Sequence, residues 1–71
     1  MPITAADIDN RSTYHAPKGD QQQRYEDLRN EAVVLAKLIL IHTPESREQS
    51  LAITHLEEAV MFANAAIARN E

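Results

Sequence analysis

The sequence predicts an all-α fold: an antiparallel two-helix hairpin preceded by an irregular N-terminal arm. Three observations carry this. Apolar residues recur at three- and four-residue spacing along two long stretches. The dipeptide Thr43-Pro44, a helix-start signal, stands between them. No stretch alternates apolar and polar residues as a strand would.

The arm comes first. Thr4-Ala5-Ala6-Asp7-Ile8 suits one short helical turn with Thr4 as its cap. From Asn10 to Gly19 the chain reads as extended, because Pro17 biases Ala16 away from helix. Gly19, the only glycine, permits a sharp change of direction. Residues 1–19 form the arm and residues 20–71 the hairpin, together a single domain.

The first long helix is predicted to start at Asp20 and to run to about His42. Asp20 is a good N-cap, and Gln23 three residues on completes a capping-box pattern. Tyr25, Leu28, Ala32, Leu35, Ile39 and His42 share one face. Val34, Leu38 and Ile41 form a second apolar stripe, with Leu40 between the two. The second helix is predicted from about Pro44 to Asn70, with Thr43 as N-cap and Pro44 at its first position. Its main stripe is Ile53, Leu56, Val60, Ala63 and Ile67, and a second is Ala52, Ala59, Phe62 and Ala66. Acidic residues near its start and Arg69 near its end suit the helix dipole. A connection this short makes the helices antiparallel neighbours.

Two paired helices bury one stripe each, and here each carries more than one. Leaving Val34, Leu38, Ile41 and Phe62 in water forfeits roughly 1.5–3 kcal/mol per large side chain. A chain of 71 residues rarely builds a self-sufficient core, and with no Cys it has no disulfide or thiolate–zinc staple. A compact homo-oligomer is the remaining solution.

The formal net charge of −4 argues against a DNA or RNA polymer and against an anionic membrane as partner, while leaving room for a small anionic ligand. No signal peptide is expected at Met1-Pro2-Ile3-Thr4, and the apolar run from Ala32 to Ile41 contains Lys37 and is too short to span a bilayer. An intracellular location is therefore expected.

Nothing points to an enzyme. There is no nucleophile elbow, phosphate loop or HExxH motif. His55 and Glu58 have the spacing of carboxylate-bridged metal bundles, but the further carboxylates are missing, and a solvated face is the simpler reading. No metal or cofactor is expected. His42 reads as a helix-end contact. The arm holds the most informative cluster: Tyr14, then His15, Pro17 and Lys18, then a helix N-terminus with Arg24 and Arg29 beyond. An aromatic ring able to stack on a base, beside cations able to pair with phosphate, makes a nucleotide site. From the residues alone, the simpler role for Tyr14 is to staple the arm to the hairpin.

Two segments resemble one family of small phage proteins. The first is Thr13-Tyr14-His15-Ala16-Pro17-Lys18-Gly19-Asp20-Gln21 with Arg24-Tyr25-Glu26. The second is Ser46-Arg47-Glu48-Gln49-Ser50-Leu51-Ala52 followed by the run from His55 to Glu71, His-Leu-Glu-Glu-Ala-Val-Met-Phe-Ala-Asn-Ala-Ala-Ile-Ala-Arg-Asn-Glu. The family is the phage anti-CBASS cyclic-oligonucleotide sponge, whose helical hairpin is shared with a Thoeris anti-defence sponge. The resemblance covers nearly the whole chain from Asn10 onward.

The resemblance implies a non-catalytic homohexamer in the host bacterial cytoplasm. Such a protein sequesters cyclic dinucleotides such as 3′,3′-cyclic GMP-AMP between protomers, and in some members cyclic trinucleotides at separate sites. It implies Tyr14 in the dinucleotide pocket, with Arg29 at a position where the family carries Lys. Arg29 keeps the charge and adds a fork suited to phosphate. His15 and Lys18 flank Tyr14 and join this set. For the trinucleotide, the resemblance points to Arg69, with Ala65 allowing close approach. The competing reading is a small structural or regulatory protein whose helices bind a protein partner.

Overall fold

The computed structural model describes residues 2–71. It is all-helical, with helices α1 (Ala5–Ser12), α2 (Gln21–His42) and α3 (Arg47–Asn70), and no strand among the described residues.

Helix α1 is longer than the single turn expected. Thr4 and Asp7 form a reciprocal capping box: the Asp7 N–H donates to Thr4 Oγ1 at 3.1 Å, and the Thr4 N–H donates to Asp7 Oδ2 at 2.9 Å. With two free donors satisfied and Arg11 placed in the last turn, the helix continues through Ser12. Asn10, Arg11 and Ser12, expected to be extended, are therefore helical. The helix stops where the Thr13 hydroxyl turns back to the Asp9 carbonyl at 2.6 Å. The extended arm is the shorter segment 13–18, and Gly19 turns it with φ of +57°.

Asp20 holds the N-cap position of α2 without a side-chain capping bond, so the capping box expected with Gln23 does not form. Its ψ of 7° is far from the extended shape a cap requires. The Asp20 carboxylate faces Arg24 Nε at 3.3 Å instead, and Gln23 donates to Asp27 at 2.9 Å.

The α2–α3 connection also differs from expectation. Thr43 is the C-cap of α2: its N–H and its hydroxyl both reach the Ile39 carbonyl, at 3.1 and 2.6 Å. Pro44 holds Thr43 extended, so the cap of α3 falls to Ser46, whose Oγ accepts from the Gln49 N–H at 3.1 Å. The second long helix thus begins at Arg47 rather than Pro44. Gln49 Nε2 ties the turn by donating to Thr43 O at 3.0 Å.

The two long helices lie side by side, with the start of α2 bonded to Glu71 and its end bonded to Gln49. Along their seam Tyr25, Ala32, Ala36 and Ile39 of α2 are half-buried, as are Ile53, Leu56, Val60, Ala63 and Ile67 of α3. The α3 stripe is the one expected. On α2 the seam runs through Ala36, and Leu35 stays 47% exposed, because small residues let the helices approach.

No hydrophobic side chain is buried among the described residues. The second stripe lies open, with Val34 55%, Ile41 72% and Phe62 62% exposed. The radius of gyration is 15.3 Å, against about 11 Å for a compact domain of this length. By length and composition α3 is apolar enough to cross a membrane, which the Ala32 to Ile41 run was not. Its adjacent carboxylates Glu57 and Glu58 oppose that, since a charge at the bilayer centre costs roughly 2.5–3.5 kcal/mol or more.

Candidate functional site

A cavity of about 500 Å³ opens at the arm end of the hairpin. Four parts of the chain build it. Helix α1 supplies Arg11. The arm supplies Thr13, Tyr14, His15 and Pro17. Helix α2 supplies Tyr25 and Arg29, one turn apart on a single face, and α3 supplies Asn64, Ala65, Ala68 and Arg69. The alanines leave the space, and the longer side chains wall it.

The charge of the lining is one-sided. Arg11, Arg29 and Arg69 contribute three guanidinium groups, and no carboxylate lines the cavity. None of the three forms an ion pair among the described residues. A chain of net charge −4 thus concentrates unpaired positive charge at one place. Each guanidinium offers a planar fork of donors matched to phosphate oxygens. Tyr14, 83% exposed, and Tyr25, half-buried, both line the cavity. Both rings offer faces on which a base can stack.

The arm is fastened from the α1 side. His15 is half-buried, with Nε2 at 2.9 Å from the Asn10 carbonyl. A carbonyl only accepts, so Nε2 is the donor in this contact. Asn10 in turn donates from Nδ2 to the Arg69 carbonyl at 3.4 Å, which ties α1 to the end of α3. The Oδ1 atom of Asn64 is buried without a partner, an acceptor left over beside the cavity.

Of the residues singled out in the sequence, Tyr14, His15, Arg29, Ala65 and Arg69 come together around this one cavity. The pair assigned to a separate trinucleotide site therefore shares its space, within one protomer, with the dinucleotide set. Lys18 lies outside the lining, and its Nζ donates to the Glu71 carbonyl at 3.0 Å. Arg24 is also occupied: both of its terminal nitrogens bond the Glu71 carboxylate. Those bonds hold the Arg24 guanidinium above its ordinary value, and bonds from Arg24 and then Gln21 hold Glu71 below the usual carboxylate range. Arg24 Nε lies near Asp20 as an ion pair, but its N–H is not aimed at the oxygen.

Sequence reasoning missed Arg11, Thr13, Tyr25, Asn64 and Ala68 as lining residues. Arg11 was hidden by the extended reading of residues that are helical. Tyr25 carried a usable signal, standing four residues before Arg29. Elsewhere, His55 Nδ1 and Glu58 Oε1 lie 3.8 Å apart on an exposed face, and no group of three potential ligands that could hold a metal occurs among the described residues.

A second, largely apolar groove of about 330 Å³ lies along the seam, lined by Ala32, Val33, Ala36, Ile53, Leu56 and Val60 together with Glu57, with Arg29 shared between the two spaces.

A family model described as Acb2/Tad1, hairpin domain, matches residues 4–68 of the chain. No curated protein and no solved structure matches it.

Proposed function

The chain belongs to the Acb2/Tad1 hairpin family, the anti-CBASS and anti-Thoeris sponges, and from that premise we propose that it is a non-catalytic phage sponge for cyclic dinucleotides such as 3′,3′-cyclic GMP-AMP. By holding the messenger in the host bacterial cytoplasm it keeps CBASS effectors switched off. The observation that carries this reading is the lining of the cavity: Arg11, Arg29 and Arg69 with Tyr14 and Tyr25, and no carboxylate.

The chemistry matches a ligand with two phosphates and two bases. Unpaired guanidinium groups suit the phosphates, and the tyrosine faces suit the bases. A volume of about 500 Å³ falls within the range of small-molecule sites, roughly 300–1,000 Å³. The cavity is open, which leaves room for a second wall from a neighbouring copy. Pairing about a two-fold axis doubles Tyr14 and Arg29, which fits the pseudo-symmetry of the ligand. The exposed apolar stripes supply the driving force for a compact homo-oligomer of antiparallel hairpins, a hexamer by family resemblance. Because Ala65 and Arg69 line the same cavity within a protomer, a separate cyclic trinucleotide site requires further walls from neighbouring protomers.

Isothermal titration against a panel of cyclic di- and trinucleotides, with chromatography of the recovered ligand, tests the proposal. Heat of binding and intact ligand are expected; no heat across the panel, or cleavage products, sinks it. The competing reading, a protein partner on the exposed stripe of Val34, Leu38 and Ile41, is favoured instead if native mass spectrometry returns a monomer that cyclic GMP-AMP leaves unchanged.

A further inference from the structure

The junction where the arm meets α2 is held by a cluster that does not line the cavity. Gln21 is its centre, and at 5% exposure it is the one buried side chain among the described residues. Its Oε1 accepts from the Lys18 backbone N–H at 3.1 Å, and its Nε2 donates to Glu71 Oε1 at 3.3 Å. Arg24 grips both oxygens of the same carboxylate, through Nη1 at 2.9 Å and through Nη2. Lys18 Nζ closes the ring on the Glu71 carbonyl at 3.0 Å. One residue following α3 thus fastens the root of the arm and the first turn of α2 together.

This cluster directly follows the cavity-lining part of the arm. Pro17 lines the cavity and Lys18 belongs to the clamp. At the other end of the arm, the Thr13 hydroxyl is fixed to Asp9 O and His15 to Asn10 O. Between these ties stands Tyr14, 83% exposed. A short span fastened at both ends places its middle residue only as well as the ties hold. A bidentate Arg–carboxylate pair is directional, so it fixes orientation as well as distance.

We propose that Gln21, Arg24 and Glu71 are positioning residues that hold Tyr14 over the cavity and so govern ligand affinity without touching ligand. The proposal rests on reading the cavity as a cyclic-nucleotide site. A purely structural role at the open end of the hairpin makes a different forecast, because it does not act through Tyr14.

The test is a double-mutant cycle with 3′,3′-cyclic GMP-AMP as probe. Affinity is measured by titration for wild type, Arg24→Gln and Arg24→Lys, each with Tyr14 and with Tyr14→Ala. Amide exchange over residues 13–19 is followed without ligand. Arg24→Gln is expected to weaken binding about three- to thirtyfold with Tyr14 present and to change nothing with Tyr14→Ala. Arg24→Lys, which keeps the charge and loses the fork, falls between, and the arm amides of Arg24→Gln exchange faster. Equal weakening in both backgrounds, or no weakening in either, overturns the proposal. If the wild-type protein binds no cyclic GMP-AMP, the site reading fails, and arm exchange then decides the clamp by itself: unchanged exchange in Arg24→Gln and Arg24→Lys overturns it.

Discussion

The two ends of the hairpin solve opposite problems. At the arm end, polar groups find partners inside the chain: Gln21, Arg24 and Lys18 converge on Glu71, and His15 on Asn10. Three arginines are left unpaired there, around a cavity. Toward the turn, apolar groups find no such partners. Leu38, Leu40 and Ile41 are 45%, 62% and 72% exposed, and Leu51 at the start of α3 is 40% exposed. Surplus charge at one end suits a small anion. Surplus apolar area at the other is answered only by a large surface. On the proposed function, recognition and assembly thus use different chemistries on different parts of 71 residues.

The largest expected effect breaks the apolar side. Ile41→Asp puts a carboxylate into the stripe of Val34, Leu38 and Ile41. In an isolated hairpin this is a surface change worth within about 0.5 kcal/mol. In an assembly that covers the stripe it strands an unpaired charge, at about 3–5 kcal/mol. Native mass spectrometry is expected to show smaller species while circular dichroism keeps its helical signal. An unchanged species distribution would show that this stripe is not an interface between copies.

Next come two changes on the polar side. Arg29→Ala removes the proposed charge-assisted phosphate contact, worth about 1.5–3 kcal/mol, so cyclic GMP-AMP binding should weaken roughly ten- to a hundredfold. Because Arg29 is shared between the cavity and the apolar groove, its loss also asks whether the two regions are separable. Intact assembly with weakened binding keeps the comparison; loss of both erases it. Tyr14→Ala is expected to lose about 1–3 kcal/mol for each base stacked, while Tyr14→Phe, which keeps the face of the ring, retains most of the affinity. Equal losses for the two variants would assign the contact to the hydroxyl group instead.

Periodicity made much of this legible. The α3 stripe from Ile53 to Ile67 and the exposure of Val34, Ile41 and Phe62 follow from spacing alone, because a helix fixes which residues share a face. Caps were less legible, since several candidates compete for one boundary. Asp20 and Thr43 both suit an N-cap, yet backbone shape gave Asp20 to Arg24 and made Thr43 the end of α2. The cavity was half legible. Tyr14 and Arg29 announce themselves by residue type, but Arg11 enters only because α1 continues to Ser12. The Glu71 clamp joins residues about fifty positions apart, where no local pattern reaches.

The smallest expected effect probes that clamp by pH. Glu71 is held below the usual carboxylate range by its bonds from Arg24 and then Gln21. A carboxylate depressed in the folded state contributes fully above its ordinary value, about 4.3, and loses that contribution as pH falls through the folded value. Arg24 is raised by Glu71, so its share is lost only above the ordinary arginine range and leaves the acid side unaffected. Asp7, lowered by its bonds with the Thr4 backbone and then the Thr4 side chain, titrates in the same acid window and must be separated from Glu71. Urea midpoints followed from pH 6 downward should therefore decline below about 4 in wild type. The slope should be shallower in Glu71→Gln and, independently, in Asp7→Asn. The pair is partly exposed, at 38% and 43%, so the change is small and is screened by salt. The contact between copies proposed for Val34, Leu38 and Ile41 would obey neither dependence, because apolar burial involves no proton and is not screened. Acid or salt should accordingly loosen the arm before it disperses the assembly. If both fail at the same pH, arm and assembly are one cooperative unit, and the division between the two ends of the hairpin does not hold.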